Sequence, residues 1–162
     1  MKARDVMIPV QDYLKPNSTI KEAVNLLRTA RRGEERVGVK GLPILDESGK
    51  LVGMVSMRDI LKAVHPAYMD LMDAGNLTWD GMLEEMSRKI ADKNVSTLMT
   101  GDVITVREEA PLMDAVDRMI RKNIERVPVV DKAGKVVGML YERDIFFGIV
   151  KAMLEENTGS VK

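Results

Sequence analysis

The sequence predicts an α/β fold of the α+β type, built twice from one β-α-β-β-α unit. Three observations predict it. Residues Pro43 to Ile60 (PILDESGKLVGMVSMRDI) recur as Pro128 to Ile145 (PVVDKAGKVVGMLYERDI) at a constant offset of 85, with 10 of the 18 paired positions identical. So dense a gapless match means that one structural unit was made twice. An amphipathic helix pattern precedes each copy, and a hairpin pattern fills it.

Met1 to Val10 reads as a short leading segment, and its Asp5-Val6-Met7 is echoed by Thr97-Leu98-Met99 ahead of the second copy. Thr19-Ile20-Lys21-Glu22 is a capping box, the start signal of a helix. Behind it, Ile20, Ala23, Val24 and Leu27 fall on one apolar face. The second copy repeats the face at Leu112, Ala115, Val116, Met119 and Ile120, with Pro111 where a first-turn proline is tolerated. These helices align at an offset of 92, the strands behind them at 85. The first copy therefore carries seven more residues in the charged, glycine-bearing passage Arg31 to Gly41, read as a loop or extended helix end.

Pro43–Asp46 and Leu51–Met57 read as strands around the turn Glu47-Ser48-Gly49, and Pro128–Val130 and Lys135–Tyr141 repeat them around Lys132-Ala133-Gly134. A helix follows each hairpin, from Asp59 to about His65 and from Asp144 to about Leu154, the latter with Ile145, Phe146, Ile149, Val150 and Met153 at helical spacing. Between the copies, Thr78 can cap a helix bearing the stripe Trp79, Leu83, Met86 and Ile90, which packs on the chain's own body or serves a partner contact. The chain thus divides into a first unit over 1–65, a helical linker over 66–94, a second unit over 95–154 and a flexible tail over 155–162.

Composition narrows the function. Twenty-five basic and 25 acidic residues balance, which argues against a strongly basic nucleic-acid binder. The absence of cysteine excludes disulfides and thiolate chemistry. No apolar run approaches a membrane span and no secretory signal opens the chain, so a cytoplasmic protein without membrane or nucleic-acid partner is expected. The single histidine, His65, reads as an exposed helix-end residue, and the 13 methionines read as core filler. No catalytic residue or metal site stands out. Lone carboxylates with no histidine, cysteine or second acid nearby give an enzyme little support.

The stretch that can carry chemistry is Ser56-Met57-Arg58-Asp59, where a strand ends and a helix opens. Helix N-termini suit anions. Asp59 itself would repel phosphate but can accept hydrogen bonds from a sugar's paired hydroxyls, and Arg58 can hold phosphate. The bland reading is a capping box, Ser56-x-x-Asp59. In the second copy Tyr141 stands in place of Ser56, yet Arg143 and Asp144 remain. Keeping the carboxylate after losing the cap favours a ligand role, with stabilisation of the helix dipole by Asp144 as the competing explanation.

The duplicated pattern, PVVD-x-x-G-x-x-x-G-h-x-x-x-x-D-I behind a helix, resembles the cystathionine-β-synthase (CBS) domain in tandem, the arrangement called a Bateman module. The resemblance covers nearly the whole chain outside 66–94 and the tail. It implies two units packed sheet to sheet with pseudo-two-fold symmetry, commonly pairing as a homodimer. It also implies clefts between the units that bind an adenosine-containing ligand: AMP, ADP, ATP or S-adenosylmethionine. By position, Asp59 would hold the ribose hydroxyls, Ser56 would contact sugar or phosphate, and Gly41-Leu42-Pro43 would line the adenine pocket. In the second copy Asp144 would take the ribose and Arg126-Val127-Pro128 the strand role, with Arg126 at a phosphate-contacting position. Tyr141 either alters that cleft or stacks on a base, and Lys40 is a candidate to substitute for Arg126 in the first. Phosphates would be read by Arg58, Arg126, Arg143 and Lys40.

The leading expectation is a stand-alone regulatory ligand sensor, without a catalytic cofactor, that signals to an unidentified regulated protein through conformational change. The alternative is a ligand-free module for dimerisation or partner interaction.

Overall fold

The computed structural model describes residues 1–31, 38–65 and 80–154. The chain forms two compact bodies that cut across the sequence repeats. One comprises Gln11–Val103 and contains the first repeat. The other joins Met1–Val10 to Ile104–Lys162 and contains the second. Each repeat's leading segment thus belongs to the body of the other repeat.

In the second-repeat body, the leading segment gives helix α1 (Ala3–Val6) and strand β1 (Ile8–Pro9). Strands β4 (Val106–Arg107), β5 (Arg126–Val130) and β6 (Val136–Tyr141) join β1 in a four-stranded sheet of order β1-β6-β5-β4. Antiparallel β5–β6 is the hairpin expected from sequence, and β4 lies parallel to β5. Helices α5 (Leu112–Lys122) and α6 (Glu142–Leu154) complete the body. Its core is Ala3, Val106, Ala115, Met119, Val127, Val129, Leu140 and Ile145.

The first-repeat body has α2 (Ile20–Thr29), the hairpin β2 (Gly41–Leu45) and β3 (Leu51–Ser56), α3 (Met57–Val64), α4 (Met82–Ile90) and a single 3₁₀ turn at Val95–Thr97. Isolated bridges Leu14↔Ile44 and Met54↔Thr100 stand where the other body has its outer strands. Both hairpins shift register at the same place, between Ile44 and Leu45 and between Val129 and Val130.

Local chemistry explains the elements. Thr19 caps α2 through a complete box with Glu22, as its sequence predicts. Each hairpin closes on an aspartate whose Oδ1 accepts the N–H groups two and four residues on, Asp46 from Ser48 and Lys50 and Asp131 from Ala133 and Lys135. Gly49 and Gly134 supply the positive φ of these turns, at 83° and 82°. The Ser48 hydroxyl, and after it the Lys50 N–H, hold the Asp46 carboxyl below its ordinary range.

Some expectations fail. The helices after the hairpins begin at Met57 and Glu142, two residues before Asp59 and Asp144, because the capping position lies at Ser56 and the carboxylate falls in the first turn. On α2 and α5 the buried stripe is narrower than the apolar one, for Val24 and Ile120 are 46% and 78% exposed. Of the apolar set on α6 only Ile145 is buried, whereas Phe146, Ile149 and Met153 are exposed. The methionines divide likewise: Met119 and Met139 fill core, but Met57, Met113 and Met153 do not. Helix α4 starts at Met82 behind Gly81, with Ile90 buried and Leu83 exposed. Thr78 and Trp79, residues 32–37 and the 155–162 tail lie outside the described residues. His65 is exposed at the end of α3, as expected.

The exchanged leading segments are held by two equivalent close approaches. A Cβ on Gly53 would lie 2.6 Å from Met99 Sδ and 3.0 Å from the Thr100 carbonyl oxygen. One on Gly138 would lie 2.7 Å from Met7 Sδ and 3.0 Å from the Ile8 carbonyl oxygen. A methionine tip can swing aside, but the backbone oxygen cannot without breaking the strand contact. Gly53→Ala and Gly138→Ala should therefore each destabilise by about 1–3 kcal/mol, the usual range for overpacking. Gly101→Ala, in open space, should be nearly neutral. Thermal unfolding of the three variants checks this; equal midpoints for all would mean the approach is not tight.

Candidate functional site

The site in the first-repeat body is built from the end of β3 and the start of α3. Ser56 ends the strand with extended backbone, at φ −120° and ψ 165°, and caps the helix. Its hydroxyl accepts the Asp59 N–H at 3.1 Å. In return Asp59 Oδ2 accepts the Ser56 N–H at 2.8 Å and the Ser56 hydroxyl at 3.0 Å. The capping box is therefore real, and such a cap contributes about 1 kcal/mol. It does not exhaust the carboxylate, which has room for about four hydrogen bonds. Both bonds fall on Oδ2, and among the described residues no donor is recorded on Oδ1. Capping thus orients Asp59 while leaving it acceptor capacity, so the two readings that compete in the sequence are compatible in the fold.

Asp59 opens onto a cavity of about 560 Å³. Its apolar lining comes from Ile20, Ala63, Ile90 and Leu98, its polar lining from Asp59, Lys62, Lys93 and Thr97. The volume is within the usual range for a small-molecule site, which is mostly apolar with a few placed polar groups. Thr97 is already committed, since its hydroxyl donates to the Asn94 carbonyl at 2.7 Å.

The hairpin register sets the other predicted residues. Gly41 lies directly across from Ser56, and Arg126 across from Tyr141. Leu42, Pro43, Val127 and Pro128 are fully buried strand residues, so they offer a ligand shape and backbone rather than polar side chains. Arg126 keeps 17% of its side chain exposed and pairs with Glu125 at 3.3 Å. Lys40 is not its counterpart. The Lys40 carbonyl accepts the Met57 N–H as the Glu125 carbonyl accepts that of Glu142, so Lys40 corresponds to Glu125 and Gly41 to Arg126. Arg58 is exposed and does not line the Asp59 cavity. Arg143 stacks over the Phe147 ring at 5.6 Å from its centre, and Asp144 is half-buried in the first turn of α6.

Sequence reading missed Lys62, Lys93 and Thr97. Lys62 follows Asp59 by three positions on one helix and so shares its face, a spacing that could have found it. Lys93 comes from the turn behind α4, and Thr97 arrives through the exchange of leading segments, at which the echo of Asp5-Val6-Met7 in Thr97-Leu98-Met99 hints without saying which body receives it. Among the described residues, no group of three His, Asp or Glu side chains is placed to hold a metal ion, and no helix is long and apolar enough to cross a membrane.

Comparison with known proteins identifies the fold. The CBS domain model matches the chain twice, over residues 3–66 and 95–151. Inosine-5'-monophosphate dehydrogenase of Methanocaldococcus jannaschii is 28% identical over 144 residues, 89% of this chain but 23% of that protein. The chain likewise spans 58% of chloroplastic CBSX2 of Arabidopsis thaliana, at 31% identity over 84% of its own length. The crystal structure of CBSX2 in complex with AMP matches with a TM-score of 0.67 and 29% identity, over 93% of this chain and 97% of that one. The CBS domain pair of protein MJ0100, in complex with 5'-methylthioadenosine and S-adenosyl-L-methionine, matches with a TM-score of 0.63 and 28% identity, over 91% and 96%.

Proposed function

The chain belongs to the CBS domain family, with the domain present twice, and on that premise we propose that it is a regulatory module that binds an adenosine-containing ligand. The observation that carries the reading is the Asp59 carboxylate, oriented by Ser56 and facing a cavity of ligand size. A ribose offers two adjacent hydroxyl donors, which a fixed carboxylate accepts well. The bound adenosine compounds of CBSX2 and MJ0100 support the ligand class. Asp59 takes the ribose, Ser56 holds it in place, and buried Gly41, Leu42 and Pro43 shape the adenine side. Asp144 plays the same part in the second-repeat body, where Arg126 reads phosphate and Tyr141 offers a ring for stacking.

The role is regulatory rather than catalytic. The cavity is lined by α3 on one side and by the segment leading into the second repeat, through Lys93, Thr97 and Leu98, on the other. A ligand seated there clamps two stretches that are distant in sequence. It acts as a switch to the extent that it binds two conformations with different affinity.

A thermal-shift panel of adenosine, AMP, ADP, ATP and S-adenosylmethionine tests the reading. At least one should raise the unfolding midpoint in a concentration-dependent way. No shift with any of the five sinks the proposal.

The module works as a homodimer. The support is α6, on which Phe146, Met153 and Leu154 are 59%, 73% and 76% exposed, an apolar surface of the kind that marks interfaces. Phe146→Asp should convert a dimer into monomer in sedimentation analysis; an unchanged mass would remove α6 from the interface.

A further inference from the structure

We infer that Lys62 and Lys93 make the Asp59 cavity selective for a phosphorylated adenosine over a sulfonium one; the inference rests on the adenosine reading of that site. The two lysines reach it from separate elements, Lys62 from α3 and Lys93 from the turn behind α4. The backbone of Lys93 is fixed on both sides, its N–H donating to the Ile90 carbonyl at 3.0 Å and its carbonyl accepting the Ile20 N–H at 2.9 Å. Neither lysine is in a salt bridge among the described residues. Thr97 already donates to Asn94, and among the described residues of the lining Lys62 and Lys93 are the cationic donors. Among the described residues of the lining, the two lysines exceed the one carboxylate of Asp59 by one positive charge.

The chemistry of the candidates then separates them. In a nucleotide the group on the ribose 5' carbon is an anionic phosphate. In S-adenosylmethionine the same carbon bears a cationic sulfonium, with an ammonium beyond it. With Asp59 on the ribose hydroxyls, that carbon lies within a few ångströms, and Lys62 stands one helical turn from Asp59. A phosphate there gains charge-assisted hydrogen bonds. A sulfonium meets like charge. Arg58 and Lys40, the residues that the sequence offers for phosphate, do not line this cavity.

Both lysines are exposed, so each contributes modestly, about two- to fivefold in affinity and about tenfold together. The test is calorimetric titration of adenosine, AMP and S-adenosylmethionine at constant ionic strength into the full chain and into the Lys62→Met/Lys93→Met variant, both carrying Asp144→Ala so that the Asp59 site alone is read. With both lysines in place, the Asp59 site should bind AMP about tenfold more tightly than adenosine, and S-adenosylmethionine more weakly than either. The variant should lose the AMP advantage while holding adenosine to within about twofold. A Lys62→Gln/Lys93→Gln pair serves if circular dichroism finds the methionine variant altered. With the second site silenced, an AMP preference that survives in the folded lysine variant, equal affinity for adenosine and AMP when both lysines are present, or tighter binding of S-adenosylmethionine overturns the inference and leaves the adenosine reading standing. No binding of any of the three overturns both.

Discussion

In each body a strand glycine lies flat against a methionine that the chain brings from elsewhere. Gly53 receives Met99, and Gly138 receives Met7. The contact is close enough that a Cβ at either glycine would force its neighbours to shift, and beside it runs the backbone pairing of Met54 with Thr100 and of Met139 with Ile8. What depends on it is the connectivity of the whole chain. The leading segments bring Val95 and Ala3, both fully buried, into the cores of the opposite repeats. Two sequence repeats thereby become two bodies that each need a piece of chain from beyond their own repeat.

The candidate site inherits this arrangement. Asp59 comes from the first repeat, but the far wall of its cavity comes from the segment leading into the second. A ligand that touches both is a tie between stretches that nothing but the exchange brings together. The capping box completes the design. Ser56 uses one carboxylate oxygen to end the strand and start the helix, so the remaining acceptor capacity is aimed by the same bonds that fold the element. The second copy has no serine to do this. Tyr141 stands across from Arg126, a pair with different reach and different chemistry. The two copies therefore present related but unequal surfaces.

Much of this was legible in the residues. The gapless repeat fixed the hairpins, their turns and the helix behind each, because strand register and turn chemistry are local. Thr19 and Ser56 announced their helices for the same reason. The exchange was not legible, since the echo of Asp5-Val6-Met7 in Thr97-Leu98-Met99 states equivalence and not destination. Nor was the exposure of Val24, Ile120 and Phe146, which depends on what packs against a helix rather than on the helix. The lining of the Asp59 cavity shows the same limit. Arg58 stood out by adjacency to Asp59, yet adjacent helical residues point apart, whereas Lys62, three positions on, shares the face.

The central claim is that the Asp59 carboxylate holds an adenosine ligand. It is tested most directly by calorimetric titration of AMP into the unmodified chain and into Asp59→Ala and Asp144→Ala. Losing charge-assisted hydrogen bonds to the ribose should weaken binding at the first site by about tenfold or more in Asp59→Ala, with the fold retained. Asp144→Ala should leave that site intact. AMP binding of unchanged affinity and stoichiometry in folded Asp59→Ala would contradict the account.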